Sequence, residues 1–191
     1  MTHLTSDQIQ SGLPGILEAP KDDGRVELIV RRPNVDGREV LQVATLDVLH
    51  GLIGDSWKDR GSSRTADGSP HPDMQLTMMN ARVIALLAGD RQRWPAAGDQ
   101  LCVDLDLSAA NLPAGTRLAV GTAVVEVTPQ LHTGCGKFVE RFGVDAMKFV
   151  NSPQGRALNL RGINTRVVRS GEVTLGAAVR KLQPAQAVQS W

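Results

Sequence analysis

Cysteine is almost absent from this chain: Cys102 and Cys135 are the only two in 191 residues. Two thiols cannot build the disulfide framework of a small secreted domain, nor a four-cysteine metal site. Tyrosine is missing altogether and aromatics make up 3% of the sequence, so aliphatic side chains must fill the core. No run reaches the roughly 18 apolar residues that a membrane-spanning helix requires. Charge of one sign is lacking too, with 21 Lys and Arg against 20 Asp and Glu. A net charge of +1 supplies no global field toward nucleic acid or an anionic membrane, so neither is expected as a partner and any anion site is local. The first residues, MTHLTSDQIQSGLPGILEAP, show no basic segment followed by an apolar one, and a cytoplasmic location with both thiols reduced is the expectation.

What is present reads as an ordinary globular composition, 41% hydrophobic and 21% charged, long enough for one domain spanning 1–191 with its core at about 26–182. RVELIVR, an Asp-Gly turn and REVLQVA form a hairpin pattern between Arg25 and Val43. LCVDLDL puts Leu101, Val103, Leu105 and Leu107 on one face, with Cys102, Asp104 and Asp106 on the other, as a half-buried strand does. TRLAV, AVVEVTP, NTRVVRS and the stretch from Ala178 to Leu182 add short strands punctuated by Gly and Pro, ahead of a frayed tail from Pro184. Such a pattern predicts a barrel or sandwich. Helices are few: Asn80 caps one that ends at Gly89, and two short helical segments run through GKFVERFG and VDAMKFVNS. Ser56 to Asp73 carries no regular pattern and exceeds the roughly 12 to 15 residues beyond which an unstructured loop is unusual. With Trp57, Lys58, Arg60, Arg64 and His71 it has the composition of a lid over an anionic ligand, or equally of a solvated loop.

The segment LHTGCGKFVERFG, residues 131–143, holds the more telling cysteine. A helix starting near Lys137 places Cys135 just before its first turn, where free N–H groups, the helix dipole, Lys137, Arg141 and His132 all favour thiolate over thiol. Gly134 and Gly136 leave room for a ligand to approach. The competing reading is a buried filler, the commonest fate of a free cysteine and the one assigned to mid-strand Cys102. His132-x-x-Cys135 has no second pair at ligand spacing, so zinc is not expected. A Cys-His hydrolase needs only a spatial neighbour as base and stays open. No nucleophile elbow, P-loop or dinucleotide fingerprint is present.

GLIGD at 51–55 followed by Trp57, DMQLTMMN at 73–80, HTGCGKFVERFG at 132–143 and LRGINTRVVRSGEVTLG at 160–176 resemble the molybdenum cofactor sulfurase C-terminal (MOSC) domain family, from about Val26 to Leu182. The resemblance implies a closed, mostly antiparallel β-barrel with a few short peripheral helices and a functional cysteine at Cys135. That cysteine would either carry sulfur as a persulfide, supplied by a cysteine desulfurase partner, or ligate molybdenum in a pterin cofactor that reduces N-oxygenated substrates with a redox partner. Pyridoxal phosphate is not expected on this chain itself, which lacks the desulfurase domain of larger members. Residues expected to contact the cofactor or another small anionic ligand are His132, Thr133, Lys137, Arg141, Asp55, Arg60, Arg161 and Asn164. Asp55 is either plain turn chemistry or an orienter of the loop beside it. The alternative of another class is a non-catalytic, anion-binding barrel whose cysteine is incidental.

Overall fold

The alternating strands close on themselves. In the computed structural model, which describes residues 3–183, eleven strands form: β1 (Gly24–Arg31), β2 (Glu39–Leu41), β3 (Val43–Asp47), β4 (Gly51–Leu52), β5 (Leu76–Asn80), β6 (Leu101–Asp104), β7 (Arg117–Val120), β8 (Ala123–Val127), β9 (Ile163–Arg169), β10 (Gly171–Thr174) and β11 (Ala178–Leu182). Their order β11-β7-β8-β9-β5-β6-β1 is completed by pairing of β1 with β11, which makes a closed barrel of seven strands. Every pairing in the barrel is antiparallel except β5 with β6. Closure leaves these strands without a free edge. β2 folds back on β1 as the expected hairpin, and β10, β3 and β4 form a small second sheet. The expected frayed tail from Pro184 lies outside the described residues.

Pleating sorts the side chains into two cores. Val26, Ile29, Met78, Leu101, Val103, Val125 and Val167 belong to the barrel interior, an aliphatic cluster with no aromatic member. Leu28, Val30, Met79 and Cys102 face outward and are covered by Ile84, Trp94, Phe138 and Phe142 in a second cluster. A register shift between Val26 and Leu28 explains how both Val26 and Ile29 point inward from one strand: a bulge resets the phase. On the outer face of LCVDLDL, Cys102 lies under helices, while Asp104 and Asp106 stay partly exposed as a half-buried strand predicts.

Among the described residues six α-helices accompany the barrel: α1 (Ser6–Ser11), α2 (Leu13–Leu17), α3 (Ala81–Ala88), α4 (Gly136–Phe142), α5 (Val144–Asn151) and α6 (Pro153–Ala157). Among the described residues none is long and apolar enough to cross a membrane. Helix α3 starts and stops where the caps at Asn80 and Gly89 direct it. Helix α1 has a capping box formed by Thr5 and Gln8, yet it is too short for its apolar period to show in the sequence.

Asn80 also donates from Nδ2 to Leu105 O while its Oδ1 accepts from the N–H groups of Arg82 and Val83. Asn80→Ala removes a cap and orphans a buried carbonyl, and should lower the unfolding free energy by about 2 kcal/mol. Urea denaturation checks this, and a change under about 0.5 kcal/mol would mean that the cap contributes nothing.

Candidate functional site

The turn after β4 carries Asp55, whose carboxylate is fully shielded from solvent. Oδ2 accepts from Arg32 N and Nε, and Oδ1 accepts from Arg32 Nη2 and from Trp57 N. Burial opposes the charge on Asp55, but the Arg32 fork and the two backbone N–H groups outweigh it and hold the pKa below the ordinary value. Arg32 spends its last arm on Gly98 O. Asp55 is therefore the orienter of the loop, capping a 3-10 turn over Ser56–Asp59.

That turn corrects the reading of Ser56–Asp73 as wholly structureless. A second 3-10 turn, Pro72–Met74, starts at His71, whose ring accepts from Asp73 N. Trp57 Nε1 donates to His71 O at 3.3 Å and ties the two ends of the segment together. Local side-chain caps, invisible to periodicity, order the segment.

Beneath the segment lies a cavity of about 290 Å³ whose lining includes Arg32, Trp57, Arg60, His71, His132 and Asn164. Arg60 is half exposed, 3.9 Å from Asp55. Asn164, on β9, is fully buried, and its Nδ2 donates to Gln130 O. His132 sits with Nδ1 at 3.5 Å from Asp99 Oδ1, and the other oxygen of Asp99 accepts from Arg161 at 2.6 Å. Burial, followed by the nearby Arg161 guanidinium, pushes the His132 pKa down to about 3 against the attraction of Asp99. His132 is a neutral imidazole at physiological pH.

Cys135 is exposed and occupies the N-cap position of α4 without using its side chain as a cap. The helix starts at Gly136, one residue before the expected point. Two contacts hold this turn in place. Asn151 accepts from Gly134 N at 2.9 Å and donates to Gly134 O at 3.2 Å, gripping the backbone just before the cysteine. The Phe138 ring of α4 lies against the Arg161 guanidinium, 4.9 Å from centroid to Cζ. The two glycines differ: a side chain at Gly134 would press on Val150 and Met147, whereas Gly136 faces open space. Only Gly136 leaves the room expected of both.

The other expected contacts divide. Lys137 Nζ and Arg141 Nη2 both reach Asp36 Oδ1, at 2.8 and 2.9 Å, so the pair does share an anion, one supplied by the β1–β2 connection. Arg141 also donates to Ala96 O. Arg161 lies behind the cavity, locked on Asp99, and Thr133 is exposed. The cavity thus collects His132, Asn164 and Arg60, with Asp55 behind Arg32, while Cys135, Lys137 and Arg141 lie outside its lining. Arg32, Asp36 and Asp99 escaped the sequence reading because each sits at a strand end or in a loop, where a charged residue looks like solvation. Cys102, by contrast, is buried mid-strand as expected, and burial pushes its thiol pKa up.

No family model and no curated protein matches the chain in sequence. Solved structures do match it in fold. The YuaD protein from Bacillus subtilis superposes with a TM-score of 0.57 at 18% identity, over 84% of this chain and 97% of that one. YiiM from Escherichia coli gives 0.54 at 18% identity, over 84% and 70%. YiiM from Geobacillus stearothermophilus gives 0.57 at 13% identity, over 86% and 77%. At these identities the likeness shows a shared barrel fold.

A neutral, partly buried His132 destabilises the native state wherever the unfolded chain binds a proton that the folded chain does not. Stability should fall as pH drops from the unfolded value of 6.5 toward about 3. Denaturant unfolding of wild type and His132→Gln between pH 7.5 and 4.5 checks this: the wild type should lose stability more steeply, and parallel profiles would contradict a depressed His132.

Proposed function

We propose that this chain is a MOSC-type barrel that works through the Cys135 sulfur. The observation that carries the reading is the placement of Cys135: exposed, uncapped, at a helix start held by Asn151 and by Arg161 through Phe138. The fold shared with YuaD and YiiM supports the barrel, and the motif resemblance supports the role of the cysteine.

The residues present fit a molybdenum-pterin cofactor. Molybdenum favours a soft thiolate donor, which Cys135 supplies. A phosphorylated pterin needs cations and N–H groups, and Arg60 at the cavity with Lys137 and Arg141 on α4 supply these. Arg141 and Lys137 would exchange Asp36 for that anion. When bound, the group would supply two-electron reduction of an N-oxygenated substrate. The chain's own part is to present the thiolate and hold the anionic end of the cofactor, while the loop anchored by Asp55 and Trp57 screens the cavity from water.

A persulfide carrier is the second reading, favoured by the exposure of Cys135 outside the cavity lining, where a donor or acceptor protein could reach the sulfur. Elemental and intact-mass analysis of the purified protein separates the two. Molybdenum with pterin at near one per chain supports the first, and an adduct of about 32 Da on Cys135 supports the second. Cys135→Ala should abolish either signal while Cys102→Ala keeps it. A protein carrying neither signal when isolated from cells that make the cofactor and express a desulfurase returns the chain to a non-catalytic barrel.

A further inference from the structure

The cavity under the 56–73 segment has a polar pattern that chemistry at Cys135 does not explain. Arg32 is saturated, with Nε and Nη2 on Asp55 and Nη1 on Gly98 O. Arg60 keeps one long contact with Asp55 and is the cavity's available cation. Asn164 and His132 offer the opposite character. Donation from Asn164 Nδ2 to Gln130 O fixes which amide atom is nitrogen, and Oδ1 is left buried without a partner. A native fold seldom keeps such an acceptor unless something outside the protein donates to it.

His132 extends the pattern. Its Nδ1 and Asp99 Oδ1 are both buried and unpartnered, and they lie 3.5 Å apart. The carboxylate charge at that distance favours a proton on Nδ1 without a hydrogen bond between the two atoms, and the Nε2 lone pair is then left for the cavity that the ring lines. Protonation of both nitrogens is opposed because Arg161 already balances the charge of Asp99. Gly162 permits the arrangement: a Cβ there would lie 2.4 Å from Met78 O and 3.4 Å from His132 Nδ1.

We infer that the cavity binds a small molecule through that molecule's neutral hydrogen-bond donors, an N–H group of the urea or amide class given to Asn164 Oδ1 and His132 Nε2, with an anionic group held by Arg60. Cationic donors are disfavoured by Arg60, the lining cation whose charge is not taken up by a close carboxylate. The Trp57 indole, pinned through its N–H to His71 O, gives a flat wall for a ring between the two ends. Asp99 is a positioning residue that acts through the tautomer of His132. The inference goes beyond the reading of Cys135 and is separable from it, since binding here makes no use of the thiol.

The test titrates wild type and Cys135→Ala with 4-ureidobenzoate, and with 4-acetylbenzoate, which keeps the ring and carboxylate but carries an acceptor in place of the N–H donors. The ureido compound should bind both proteins about tenfold more tightly than the acetyl compound. Arg60→Ala should weaken both compounds about tenfold and preserve the preference, and Asn164→Leu should erase it. Because Asn164→Leu could fail to fold, nitrogen-15 spectra of unmodified protein provide an independent check: His132 should show a protonated Nδ1 and a bare Nε2 that shifts with 4-ureidobenzoate. Equal affinity for the two compounds, binding of neither, or a His132 protonated on Nε2 would overturn the inference. Donor-selective binding in a protein that carries neither molybdenum nor sulfur would uphold it while the reading of Cys135 failed.

Discussion

The buried pair of Asp55 and Arg32 is the constraint on which the rest of the site depends. Two ions removed from water cost several kcal/mol each, and only geometry that satisfies both offsets this. Here the fork is bidentate, the Arg32 backbone N–H joins it, and the spare arm of Arg32 takes Gly98 O. Because the same carboxylate also accepts from Trp57 N, the pair specifies where the loop begins. The roof of the cavity is thereby fixed to the end of β1 and to the Gly98 turn, just ahead of β6. The apolar barrel below provides cohesion, but an aliphatic interior tolerates many loop paths and an unsatisfied buried ion tolerates almost none.

A second buried ion pair does the same for the other wall. Arg161 binds Asp99 through one amino group and Ala97 O through another, and turns its face to Phe138 of α4. One guanidinium therefore connects the turn before β6, the histidine in the cavity and the helix that begins at Cys135. Burial first, and its charge second, keep His132 neutral, so the cavity presents acceptors where a histidine beside an aspartate would ordinarily present a cation. Cations remain at half-exposed Arg60 and in the Asp36 cluster with Lys137 and Arg141.

Much of the barrel was legible because RVELIVR and LCVDLDL alternate in sequence, because Gly and Pro set off the strands β7, β8, β9 and β11, and because Asn80 and Gly89 are strong caps. What alternation could not reveal was the second core: the outward face of β6 looks half-buried until α3, the Arg91–Ala97 turn and α4 cover it. Cys135 was legible for a different reason, since a cysteine between glycines at a helix start is chemically unusual. Asp99 and Arg32 were not, because their meaning lies in partners 62 and 23 residues away in sequence. Arg161, an expected ligand contact, is locked on Asp99 outside the cavity lining, a placement that only the location of Asp99 decides.

The central claim is that the chain works through exposed Cys135, at the start of the helix whose Lys137 and Arg141 share the single carboxylate of Asp36, within a nearly neutral protein. Alkylation with iodoacetate and with iodoacetamide, each referenced to free glutathione, measures this directly. Cys135 should favour the anionic reagent relative to glutathione, and the preference should collapse as salt rises to about 0.5 M, where the Debye length is only a few ångströms. A reagent preference equal to that of glutathione and indifferent to salt, or a Cys135 no faster than buried Cys102, would contradict it.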